Sequence, residues 1–199
     1  PFHDQRGFLA HVFEGFAKGA PNDNVLVIKA HPLEDDRQPL GPLIRDLAAR
    51  YGIEDRVVFI SGGKLARLLD DARSAVTVNS TAGEQVLWRG LPLKAFGRAV
   101  YARPEFVSDQ SIADFFAAPK PPDHAAYLIY RRYLLRTSQR PGGFYAARSR
   151  RLLLQQLPDL LLANPPCAIG KNSPAAAPQH IDATIPSRQA ALEMLRSSA

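Results

Sequence analysis

The chain has 199 residues with 46% hydrophobic and 22% charged content, which suits one well-buried globular domain and a remainder for a tail or partial second unit. A single cysteine, Cys167, excludes an internal disulfide framework and a cysteine-based zinc site, and fits a reducing compartment. The net charge of +6 comes without a signal-peptide pattern or an apolar run of about 18 residues, so no bilayer-spanning helix is predicted.

In chain order, "GFLAHVFEGFAKG" places Phe8, Leu9, Val12, Phe13 and Phe16 on one stripe and predicts a helix. "NVLVIKA" (24–30) is a short continuous apolar strand of the kind buried on both faces of a parallel sheet. "PLIRDLAARYG" repeats the helical stripe through Leu43, Ile44, Leu47 and Ala48, with Gly52 suited to end it. The alternation continues as strand "VVFI" (57–60), helix "KLARLLDDAR" (64–73), strand "AVTV" (75–78), helix "AGEQVLWRG" (82–90) and strand "PLKAF" (92–96). Four strands alternating with three helices predict βαβ units, hence an α/β fold with a parallel, Rossmann-like sheet covered by helices.

After residue 100 the pattern changes. "SIADFFAA" predicts a short helix, "PKPPD" a rigid break, and "HAAYLIYRRYLLRTSQ" and "FYAARSRRLLLQQL" two longer helices around a Pro-Gly-Gly turn at 141–143. The expected organisation is a Rossmann-like nucleotide-sugar-binding domain over 1–120 and Arg-rich helices over 121–163. Residues 164–199 are expected to be a flexible tail, since most of them lack apolar periodicity. No Asp or Glu occurs between His124 and Pro158, where Arg131, Arg132, Arg136, Arg140, Arg148, Arg150 and Arg151 collect. That patch suits phosphates or an anionic membrane face, or is a solvated helix face. Nucleic acid is not an expected partner, because no nucleic-acid motif accompanies the charge.

Two stretches carry candidate chemistry. "KAHPLEDD" follows the first strand, and "VNSTAGEQVLWRGLP" leaves the third for a helix. Ligands of open α/β sheets bind outside the carboxyl ends of the strands, where both stretches end. Ser80 and Thr81 lie at a helix start whose unpaired N–H groups favour a phosphate, and Gly83 suits close approach of a ligand to the backbone. The same Thr81-Ala82-Gly83-Glu84 also fits a capping box, which needs no ligand. His31 offers an N–H donor to the same phosphate, and Pro32 fixes the turn that carries it. Lys29, two residues before His31, is a further candidate or is turned sideways into packing. "ISGGK" (60–64) opens at the same edge, with Ser61, Gly62 and Gly63 exposing backbone to a nucleobase or forming an ordinary turn. Gly97 is a possible sugar wall, while Glu34, Asp35 and Asp36 look like a solvated acidic run, so neither a metal nor another cofactor is expected. G-x-G-x-x-G, the P-loop and G-x-S-x-G are absent from the sequence. What remains suits the donor half of a two-domain sugar-nucleotide transferase.

Three motifs carry a resemblance: "VIKAHPLE", "VNSTAGEQVLWRGLPLKAFGRAVY" and "YLLRTSQRPGGFY". Across residues 7–160 the chain resembles capsular polysaccharide biosynthesis and export proteins of the KpsS type, bacterial β-Kdo transferases of GT-B fold. The resemblance implies the carboxyl-terminal half of such an enzyme, with CMP-Kdo as donor. It places His31 and Ser80–Thr81 on the CMP phosphate and the "ISGG" loop beside cytosine. It further implies a cytoplasmic enzyme, peripheral on the inner membrane face, that adds β-Kdo to a lipid acceptor such as phosphatidylglycerol beside a capsule assembly and export complex. The sequence opens at Pro1 without methionine and is expected to be a piece of a longer protein, inactive alone. The nucleophile or base would then lie in the missing amino-terminal half, and Glu14 is the nearest carboxylate candidate here. The family's Gly-Leu-Thr-like turn is replaced by Val107, Ser108 and Asp109. Two other readings are another GT-B nucleotide-sugar transferase or epimerase, and a non-catalytic capsule export or assembly module.

Overall fold

The computed structural model describes residues 2, 4–30, 40–139, 142 and 147–163. Two compact units divide the chain, Pro1–Leu128 and Ile129–Ala199. The first holds helix α1 (Gln5–Gly19), strand β1 (Leu26–Lys29), α2 (Leu40–Tyr51), β2 (Val57–Ile60), α3 (Leu65–Asp70), β3 (Ala75–Thr77), α4 (Ala82–Trp88), β4 (Leu93–Ala95) and α5 (Ile112–Ala117). Helix α6 (His124–Thr137) crosses the division, and α7 (Ala147–Ala163) belongs to the second unit. Every element expected from periodicity is present. A 3-10 turn at Glu54–Arg56 was not signalled, and α7 continues through Pro158.

The architecture is α/β with short parallel strands flanked by helices. β1 pairs with β2, Leu26 opposite Val57 and Lys29 opposite Ile60, and β3 pairs with β4, Ala75 opposite Leu93 and Thr77 opposite Ala95. The ladders form two separate pairs, yet they share one core. Ile28 and Val57 from the first pair pack against the same buried cluster as Val76 and Phe96 from the second. Full burial of both strand faces, expected from the apolar run, is not observed for β1 and β2. Leu26 is buried on the core side, whereas Val25, Val27 and Val58 are exposed. Period-2 alternation puts Val25, Val27 and Val58 on one face, opposite the α1–α2 layer.

Helix α1 organises that core. Asp4 caps its start, the Oδ1 accepting from Gly7 N–H at 2.7 Å, and Leu9, Val12, Phe13 and Phe16 are buried along the predicted stripe. Gly15 and Gly19 mark where α5 comes close. A Cβ on Gly15 would overlap the Ile112 side chain, and one on Gly19 would overlap the Ala113 carbonyl. Phe16 meets Phe116 edge to face at 5.3 Å, and Ser111 caps α5 through Asp114 N–H at 3.2 Å. Arg56 then locks the end of α1. Its guanidinium lies 4.7 Å from the Phe16 ring centre and donates to the carbonyls of Pro21 (2.5 Å), Asn24 (3.1 Å) and Ala20 (3.4 Å).

Because the overlap at Gly19 involves backbone, it has no flexible side chain to absorb it. Gly19→Ala is expected to destabilise the protein by about 1–3 kcal/mol. Gly41→Ala in α2 meets only the Arg45 guanidinium at 3.6 Å and is expected to be neutral or stabilising by up to about 1 kcal/mol. Urea midpoints of the two variants should move in opposite directions, or only the first should move.

Candidate functional site

Helix α1 touches both strand pairs. Phe8 and His11, in its first half, contact the ring of Phe96, one residue beyond the carboxyl end of β4. The carbonyls just after its last turn are held by Arg56, one residue before the amino end of β2. Within each pair the strands are parallel, so β1 and β2 share a carboxyl rim, and so do β3 and β4.

Three of the loops that leave these carboxyl ends are described. After β2, Ser61, Gly62 and Gly63 are exposed, and no atom lies within 4 Å of a Cβ built on either glycine. Gly63 adopts φ +79°, a conformation that favours glycine. The loop borders an open groove of about 400 Å³ lined by Ile60, Gly62, Gly63, Lys64, Arg67 and Leu68. Sequence reasoning named neither Lys64 nor Arg67 as a candidate, since nothing in their spacing separates them from ordinary solvent-facing residues at the start of a helix.

After β3, Asn79, Ser80 and Thr81 are all exposed. The predicted capping box is not the one that forms. Thr81 makes no side-chain cap, and Ser80 Oγ instead accepts from Ala82 N–H at 3.2 Å. Gly83 N–H is used by the Ser80 carbonyl at 3.0 Å, and Glu84 N–H by the Thr81 carbonyl at 3.1 Å. The exposed Thr81 hydroxyl is thus left available at the mouth of the site. Gly83 itself is buried, with its α-carbon against Tyr101, where a Cβ would overlap the ring. Its lack of a side chain therefore serves packing, a correction to the expectation that it lets a ligand approach. Tyr101, 2% exposed, donates its hydroxyl to the Ser80 carbonyl and so braces the loop from below.

After β4, Phe96 N–H donates to Thr77 and Gly97 N–H to Val78, both at 3.0 Å, carrying the pairing to the rim. A Cβ on Gly97 would overlap the Asn79 side chain, so Gly97 seats Asn79. Sequence reasoning quoted Asn79 without assigning it a role. The Val107–Asp109 segment is tied to β4. Ser108 N–H donates to the Leu93 carbonyl at 2.8 Å, and buried Lys94 donates to the carbonyls of Ser108 (3.3 Å) and Gln110. Burial holds the Lys94 ammonium below its ordinary range, opposed by Asp109.

His31, Pro32, Glu34, Asp35 and Asp36 lie outside the described residues. Lys29, at the end of β1, donates to the neighbouring Ala30 carbonyl at 3.2 Å. Glu14 pairs with Lys18 at 2.5 Å across one helical turn, and that hydrogen bond and charge keep its carboxyl below the ordinary range. Among the described residues no group of three His, Cys, Asp or Glu side chains is placed to hold a metal.

The profile described as "Capsule polysaccharide biosynthesis protein" matches residues 1–145. The chain belongs to that family. Within it, the chain is 32% identical over 144 residues to the capsule polysaccharide export protein KpsS of Escherichia coli, covering 72% of this chain and 37% of that protein. It is 34% identical over 149 residues to the capsule polysaccharide modification protein LipB of Neisseria meningitidis, in strains of serogroups A and B, covering 73% and 35%. The chain thus spans little more than a third of the length of these capsule-family relatives. No solved structure matches it.

In this capsule-family chain the brace beneath the Ser80 loop carries a pH signature. Burial first, and then the Glu84 carboxylate, raise the Tyr101 phenol above its ordinary value of 10. The folded state keeps a proton that the unfolded chain releases. The resulting stabilisation is complete below pH 10 and is lost as pH rises further. Tyr101→Phe is expected to cost about 1 kcal/mol at neutral pH and to flatten the fall in stability above pH 10, read from denaturation midpoints across pH 7–11.

Proposed function

We propose that this chain is the donor-binding part of a capsule polysaccharide glycosyltransferase of GT-B type. Its donor is a cytidine monophosphate-activated acidic sugar of the CMP-Kdo kind, and the acceptor is a lipid such as phosphatidylglycerol. The observation that supports the reading is that an uncapped Thr81 hydroxyl and the open Ser61–Gly63 loop each stand at the carboxyl end of a parallel strand in a capsule-family chain. Strand ends of this kind are where α/β proteins place nucleotides. In transfer, the acceptor oxygen attacks the anomeric carbon while the bond from that carbon to the phosphate oxygen breaks. The electron pair leaves with CMP, and charge grows on its phosphate. Thr81, Ser80 and His31, two residues past β1 in the sequence, donate hydrogen bonds to that charge. The Ser61–Gly62–Gly63 backbone meets the cytosine, and Gly83 keeps its place under Tyr101, which holds the Ser80 loop in position. The nucleophile's base comes from elsewhere in the enzyme, and no metal is required for this assignment.

The work of this site belongs at the inner face of the cytoplasmic membrane, beside the capsule assembly and export complex. Arg131, Arg132, Arg136, Arg148, Arg150 and Arg151 supply the positive surface for that location. No described helix is long and apolar enough to cross a membrane.

Calorimetric titration with CMP, UMP and UDP tests the reading. CMP is expected to bind best, and joint replacement Ser80→Ala and Thr81→Ala to weaken it about tenfold or more. In the full-length enzyme, His31→Ala is expected to lower transfer about a hundredfold while the fold persists. Preference for UDP, or no nucleotide binding at all, would overturn the assignment.

A further inference from the structure

The groove of about 400 Å³ beside the Ser61–Gly63 loop has a one-sided lining. Ile60 and Leu68 give it apolar walls, and Gly62 and Gly63 contribute no side chain. Among the described residues its polar side chains are those of Lys64 and Arg67, both exposed and both donors only. No carboxylate, amide or hydroxyl side chain among the described residues lines it. Helical spacing would offer Arg67 a partner in Asp70, three residues further along α3. Arg89, just past α4, takes that carboxylate instead. Its Nε donates to Asp70 at 3.3 Å, and its Nη2 reaches the Ala66 carbonyl at 3.5 Å. The ion pairs of the described residues are Lys18–Glu14 and Arg89–Asp70, so the donors of Lys64 and Arg67 remain for a ligand.

We infer that Arg67 reads the base of the donor nucleotide and selects cytosine over uracil, with Lys64 as a second donor that does not discriminate. The inference rests on the cytosine placement proposed above. The outer edge of cytosine presents two neighbouring acceptors, N3 and O2, whereas uracil presents an N3–H between two carbonyls. A guanidinium offers two parallel N–H groups, a fork that matches two adjacent acceptors. Against cytosine both prongs are used. Against uracil one N–H meets another, and a donor is left unpaired. A groove whose side chains only donate therefore favours cytosine. Lys64 donates to O2, which both bases carry, so it adds affinity without choice. The apolar walls favour a flat ring over a bare inorganic anion, which gives up water beside Ile60 and Leu68 and gains nothing from them.

The test is calorimetric titration of the full chain with CMP, UMP and inorganic phosphate. The unsubstituted chain is expected to prefer CMP to UMP about tenfold or more. Arg67→Lys keeps the charge and loses the fork, and should cut that preference to about twofold, mainly by weakening CMP. Lys64→Gln should weaken CMP and UMP alike, about threefold, and leave the preference intact. Thermal melting checks that each variant keeps its fold. CMP binding with no preference over UMP, or a preference untouched by Arg67→Lys, would overturn the inference and leave the donor site standing. Phosphate binding that depends on Lys64 and Arg67 would also overturn it, by making the groove an anion site. Failure of the chain to bind either nucleotide would remove the inference together with the reading it rests on.

Discussion

Arg56 reaches back 36 residues to hold the carbonyls that end α1, with its guanidinium stacked over Phe16. Hydrogen bonds from a charged donor are each worth about 1.5–3 kcal/mol, and the stacking adds about 1 kcal/mol. This contact fixes the end of α1 at the amino side of β1 and β2. The aromatic group of Phe8, His11 and Phe96 fixes its other half at the carboxyl side of β4. With α1 pinned at both ends, the two parallel pairs need no continuous ladder to share one core. The loops at the strand ends, and everything proposed for them, depend on that support.

Close contact with α5 supplies the other half of the constraint. Backbone meets backbone at Gly19 and Ala113, and Phe115, with no exposed surface, fills the space beside Phe116. Such an approach leaves little slack, because protein interiors pack at crystal-like density. The α1–α2 layer covers only one face of β1 and β2, which is why Val27 and Val58 remain in contact with solvent.

Much of this was legible in the residues. The stripe Leu9, Val12, Phe13 and Phe16, the turn at Gly52 and the apolar strands have periodicities that local physics dictates. The exposed face of β1 and β2 was not legible, since an apolar run cannot say how many layers will cover it. Nor was the clamp by Arg56, whose partners lie more than 30 positions away and are carbonyls, which every residue has. At the rim, the hydroxyls of "NST" were visible as a type but not as a geometry. Only coordinates show that Ser80 takes the capping role and leaves Thr81 uncapped. Gly83 and Gly97 looked alike as glycines beside a ligand, yet one is filled by Tyr101 and the other by Asn79.

Those two fillings bind distant positions into pairs with a shared fate. A larger residue at 83 is admissible only if 101 surrenders its ring, and a side chain at 97 only if Asn79 is shortened or moved. Drift among related chains should therefore cross these sites in coupled steps rather than singly. The loop of the third strand would then inherit its shape from two neighbours that no ligand has to touch.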